Sequence, residues 1–142
     1  MSGDITEHFS RHEFALPEDK AAKKGLHGAE YPAEWVETRL RPLCAALEVI
    51  RAEFGGRPIR IISAYRPLPY NRSIGSEDTS QHVQGRAADF QIDGVDPGVI
   101  WDRMLALRHV GRLDIGGAGV YNDFCHVDVR GGAMATWDER KK

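Results

Sequence analysis

Two short segments limit the fold more than any other part of the chain: AADFQI at residues 87–92 and FCHVDV at residues 124–129. Successive side chains of a β-strand point to opposite faces. Ala88, Phe90 and Ile92 therefore share one face, and Ala87, Asp89 and Gln91 the other. The same arithmetic sends Cys125, Val127 and Val129 inward and leaves Phe124, His126 and Asp128 on the opposite side. A sheet that buries the first sets lets Asp89 and His126 stand side by side on its other face.

The remaining segments supply the cover for such a sheet. Val36, Leu40, Leu43, Leu47, Ile50 and Phe54 recur at steps of three and four, a helical stripe that Gly55 and Gly56 end and that Pro42 kinks or splits. RPIRIISAYR reads as a strand, and residues 67–80 as an irregular loop rich in Pro, Asn, Ser and Gly. Residues 97–109 read as a helix with Pro97 at its start and Val99, Ile100, Met104 and Leu107 along one face; GGAGVY and FCHVDVR follow as two closing strands. Strands segregated from helices by short connections predict an α+β fold, an antiparallel sheet flanked by helices. At 142 residues the chain forms one domain. Residues 1–32, a short helix or two and a loop, form an N-terminal segment packed on or leading into a domain at 33–142.

With 19 basic against 21 acidic side chains, no single-sign field points to nucleic acid or an anionic membrane as partner. The first residues lack the apolar core of a secretory signal, and no apolar run approaches the roughly 18 residues of a membrane span. The expectation is synthesis in the cytoplasm without a signal peptide. Cys44 and Cys125, with no CxxC spacing, read as free buried thiols.

Two imidazoles and a carboxylate, His82, Asp89 and His126, make a three-ligand set for zinc. Three protein ligands leave a fourth tetrahedral position for water, which separates catalytic from structural sites. A plainer reading competes: a histidine and an aspartate near a turn are commonly surface or capping residues. Cys125 offers a thiolate in principle, but its strand parity and valine neighbours favour a core position. His8, His12, His27 and His109 have no ligand spacing and read as surface residues.

SQHVQGRAAD at residues 80–89 matches the pattern SxHxxGxAxD, and DFCH at 123–126 matches (Asp/Glu)-x-x-His. Both resemble the zinc D-alanyl-D-alanine peptidases, a family that includes cell-wall D,D-carboxypeptidases, D-Ala-D-Ala dipeptidases and phage L-alanyl-D-glutamate endolysins, within the hedgehog/D,D-peptidase fold group. SAYRPLPYNRSIG resembles the family's arginine-bearing loop, and GGAGVY, HVDVRG and Trp137 its closing hairpin, so the likeness covers roughly residues 34–138. HFSRHEF is similar to the start of small members.

Carried over by position, the resemblance implies one zinc per chain held by His82, Asp89 and His126. It implies Asp123 as the catalytic carboxylate and Arg66 as the arginine facing the scissile carbonyl. Ser80 would order the ligand loop or touch substrate, and Asp128 would support a ligand imidazole. Phe124 departs from the His-x-His of many carboxypeptidases and resembles the dipeptidase and endolysin branches. The implied activity is hydrolysis of an amide in peptidoglycan stem peptides by a monomer, foremost as an L-alanyl-D-glutamate endopeptidase like a phage endolysin released through a holin. D,D-carboxypeptidase or D-Ala-D-Ala dipeptidase activity is the alternative. A zinc-binding cell-wall or phage structural module without catalysis is the rival from another class.

Overall fold

The computed structural model describes residues 3–141. A 3-10 turn at Arg11–Phe14 and helix α1 (Glu18–Ala22) come first. A π-helical turn at Val36–Leu40 then runs into α2 (Arg41–Glu53). Strand β1 (Ile59–Ser63), helix α3 (Leu68–Ser73), strand β2 (Ala87–Ile92) and helix α4 (Pro97–His109) follow, and β3 (Gly117–Val120), β4 (Cys125–Asp128) and β5 (Ala135–Asp138) close the chain. The five strands form one sheet in the order β1-β2-β4-β3-β5. Three of its pairings are antiparallel, and β5 lies parallel to β3. The class is α+β, as expected, with one parallel pair added by a strand that the sequence reading did not anticipate.

Pro42 explains how the first long helix is divided. It carries no N–H, and the N–H of Arg41 just before it reaches back five residues to the carbonyl of Val36. The regular helix then starts with Pro42 in its first turn, where the missing donor costs nothing. Its stripe of Leu43, Leu47 and Ile50 is fully buried against the sheet. Helix α4 begins at Asp96, whose Oδ1 accepts from the Gly98 N–H at 2.7 Å. Ile100, Met104 and Leu107 are buried, whereas Val99 is 49% exposed and does not belong to the apolar face. The loop expected at 67–80 contains a short helix, α3, because Pro67 and Pro69 fall at its start, where proline is compatible with helical backbone.

Residues before 33 contribute to the same core. Ile5, Phe9, Phe14 and Tyr31 join Leu43, Phe90 and Val127 in one buried cluster. Leu16 and Ala29 exchange two backbone hydrogen bonds of 2.9 and 3.1 Å, closing the loop between them. The Tyr65 N–H donates to the Phe14 carbonyl at 3.0 Å and the Arg66 N–H to the His82 carbonyl at 3.1 Å. This segment thus braces the end of β1, which in turn braces the turn carrying His82.

Gly85 fixes how that turn returns to the sheet. Its φ is +69°, and a Cβ there would sit 2.6 Å from the Trp35 ring. Trp35 is held in place by the Arg39 guanidinium at 3.8 Å from its centroid and by Tyr65, edge-on at 5.9 Å. Backbone conformation and space both require glycine here. Gly85→Ala is expected to lower stability by about 2–4 kcal/mol, combining a left-handed backbone penalty with overpacking. Urea unfolding checks this, and an unchanged midpoint contradicts it.

Candidate active site

The register of the sheet sets two of the three candidate metal ligands opposite each other. Asp89 on β2 pairs with His126 on β4, and both side chains emerge on the face away from the core. His82 arrives from the turn before β2. Among the described residues, ligand atoms of His82, Asp89 and His126 converge within 4.8 Å of one another, and all three residues are buried.

Hydrogen bonds on the far sides of the rings decide which nitrogens face inward. His82 Nδ1–H donates to the Ala64 carbonyl at 2.7 Å, leaving Nε2 at 3.1 Å from Asp89 Oδ1. His126 Nε2–H donates to Asp128 Oδ2 at 2.7 Å, leaving Nδ1 at 3.0 Å from the same Asp89 oxygen. With both outer nitrogens used as donors, three lone-pair atoms point at one another. Such a set repels itself unless a proton or a metal cation sits between its members, so the donor chemistry fits a metal.

The surrounding charges act on this set. Burial pushes the Asp89 carboxyl up, but the two imidazoles packed against it, His126 and His82, outweigh burial and hold it well below the ordinary carboxylate range. Burial likewise opposes ionisation of Asp128, and Arg130 and His126 reverse it. Arg130 grips Asp128 through Nη2 at 2.6 Å and Nε at 2.8 Å. His126, placed between Asp128 and Asp89, is drawn toward its charged form despite burial, whereas burial prevails at His82. Asp128 needs room for this role, and Gly117 provides it: a Cβ there would lie 2.3 Å from Asp128 Oδ2.

The triad lies in a cleft of about 740 Å³. Arg66 and Ser80 line it, as do Tyr121 and Trp137. Arg66 Nε is buried without a hydrogen-bond partner. Ser80 Oγ accepts from the His82 N–H at 3.2 Å and so braces the turn that carries His82. Asp123 lies elsewhere. It is exposed on the turn before β4, its carbonyl accepts from Gln91 Nε2 at 2.7 Å, and its side chain is outside the set that lines the cleft. Cys125 faces the core as its strand parity requires, with burial pushing its thiol up to about 12, and Cys44 is also free and buried.

The family described as Peptidase M15 matches residues 7–128 of this chain. The chain belongs to the peptidase M15 family. The M15 match begins well before residue 34 and takes in the segment whose phenylalanines complete the core. Among curated proteins, the chain is 34% identical over 80 residues to the peptidoglycan L,D-endopeptidase MepK of Escherichia coli K12. The same protein of Escherichia coli O157:H7 and of Shigella flexneri matches to the same extent. The alignment covers 51% of this chain and 41% of each relative. The chain thus spans less than half the length of the curated relatives it matches.

Sequence reasoning gave no role to Tyr121, Glu139 or Arg130, and gave Trp137 only a place in the closing hairpin. Trp137 and Glu139 reach the cleft because β5 pairs in parallel with β3. The alternation of Ala135, Trp137 and Glu139 with Thr136 and Asp138, two residues after the Gly131–Gly132 pair, is the signal that marks this strand. The Asp128 contact yields a direct test. Asp128→Ala is expected to weaken metal affinity by about 10- to 100-fold, the usual effect of removing a partner behind a metal-ligating histidine. Competition with a chromophoric chelator measures it, and unchanged affinity contradicts the contact's role.

Proposed function

We propose that this chain is a zinc-dependent peptidase that hydrolyses an amide bond in the peptide stems of peptidoglycan. The observation that carries the reading is the convergence of His82 Nε2, His126 Nδ1 and the Asp89 carboxylate at the wall of an open cleft. These three atoms would hold one zinc ion, which when bound supplies Lewis acidity and a nucleophile at neutral pH. The MepK relatives, named as peptidoglycan L,D-endopeptidases, support the polymer and an endopeptidase activity. The bond proposed is L-alanyl-D-glutamate, itself a linkage from an L to a D residue.

The chain's own residues divide the remaining work. Arg66 brings a fixed positive charge into the cleft, with one buried N–H still lacking an acceptor. It is suited to the carbonyl oxygen on which negative charge accumulates. Asp123, three residues before His126 on a tight turn, is the carboxylate that the family motif puts forward to take a proton from the attacking water and deliver it to the leaving amine. Its exposed position requires the turn to bring its side chain inward when substrate is bound. Ser80 keeps the His82 turn in place.

Purified sacculi digested by the zinc-loaded protein are expected to yield new amino termini on D-Glu, with L-Ala left on the muramic acid, as read by mass spectrometry of the muropeptides. Release of free D-Ala or of D-Ala-D-Ala, without a new D-Glu amine, contradicts the bond and leaves the peptidase standing. No turnover of any stem substrate contradicts the enzyme and favours a zinc-binding module.

Asp123→Ala and Arg66→Ala are each expected to retain zinc while losing about 10²-fold or more in kcat. Steady-state kinetics with elemental analysis check this. A wild-type rate in either variant removes that residue from the mechanism.

A further inference from the structure

Tyr121 presents a phenol at the wall of the cleft. Its ring lies flat on Phe124, centroids 4.4 Å apart and planes at 13°. Its hydroxyl oxygen accepts the Trp137 Nε1–H at 2.9 Å. Trp137 is fixed in turn, because its ring lies against His126 at 4.8 Å and its indole nitrogen rests over Gly119, where a Cβ would be 2.2 Å away. Ring position and acceptor side of the phenol are thus both set by the protein. The hydroxyl hydrogen has no acceptor among the described residues, so it is free to point into the cleft.

Tyr121 lines the same cleft as His82, Asp89 and His126. Tyr121 lies close enough to both Asp89 and Arg66 for their charges to act on it, and burial raises its pKa, so it keeps its proton. The cleft therefore holds two donors without protein acceptors, the Tyr121 O–H and the Arg66 Nε–H, beside one group of metal-binding atoms. The buried Arg66 Nε–H is costly to leave unpaired, and an oxygen of a ligand in the cleft could accept from it and from the Tyr121 O–H together. The ligand they call for carries an oxygen that becomes negative beside the metal site.

We propose that the Tyr121 hydroxyl is a catalytic hydrogen-bond donor to the carbonyl oxygen of the scissile amide, with Trp137 as the positioning residue that orients it. This rests on the hydrolase reading above. The tyrosine forms no covalent bond and gives up no proton; it donates a hydrogen bond that strengthens as charge develops on the oxygen. The indole matters because an acceptor lone pair already occupied by Trp137 directs the O–H away from the strand and toward substrate.

Tyr121→Phe keeps the stacked ring and removes only the hydroxyl. With zinc-loaded protein and a soluble muropeptide, kcat is expected to fall about 10²-fold with KM unchanged, the scale for a lost oxyanion donor. Zinc content should match the parent. A stem-peptide phosphinate, whose tetrahedral oxygens imitate the developing charge, should bind the variant at least tenfold more weakly. Trp137→Phe should lower kcat in the parent and add nothing in the Tyr121→Phe background.

A parent-like kcat in Tyr121→Phe overturns the proposal, as does a raised KM at unchanged kcat or a loss of zinc. Equal losses from Trp137→Phe in both backgrounds overturn the positioning role. A parent protein that releases no new amino termini overturns the hydrolase reading itself, and is distinguishable because every other outcome requires an active parent.

Discussion

The pairing of Asp89 with His126 across two antiparallel strands is the constraint on which the site depends. A one-residue slip of β2 against β4 would turn every side chain of the slipped strand to the other face. Phe90 would leave the core and Asp89 would enter it. The apolar face that drives folding and the polar face that gathers Asp89 and His126 are therefore specified by the same register. Val127 and Phe90, both fully buried, hold that register from below.

Around this pair, the rest of the fold acts mainly to orient donors and acceptors. Ala64 at the end of β1 and Asp128 at the end of β4 each take one imidazole N–H, so that the opposite nitrogen of each ring faces Asp89. Burying a carboxylate as deeply as Asp128 is unfavourable unless it is fully paired. Arg130 and His126 pair it, and Gly117 leaves the space for that pairing. The N-terminal segment contributes at one remove, because Phe14 anchors Tyr65 and the next residue, Arg66, anchors the His82 turn. Glycines at 85, 117 and 119 are the places where ring or carboxylate approaches backbone too closely for any side chain.

Much of this was legible in the sequence because strand parity is a strict rule. Alternation alone put Asp89, His126 and Asp128 on one face and Cys125 in the core, and the spacing of α4 and its Asp-Pro start marked that helix. Less local features were not legible. The parallel pairing of β5 depends on a return across the sheet that four residues, ATWD, do not announce, and with it went the roles of Trp137 and Tyr121. Helix α3 was concealed because prolines that usually signal a loop here occupy a helix start. Asp123 shows the limit of motif reasoning: three residues before His126 fixes its distance along the chain but not its direction, and in this structure its side chain stays outside the cleft.

The M15 membership and the geometry point the same way, toward a cleft in which His82, Asp89 and His126 could hold a cation. The most direct measurement of this claim is anomalous scattering at the zinc edge from crystals of the zinc-reconstituted protein. The account predicts one peak per chain, bounded by His82 Nε2, His126 Nδ1 and the Asp89 carboxylate. A peak at exposed histidines such as His8 or His109, coordination through His82 Nδ1 or His126 Nε2, or no peak at all would contradict it.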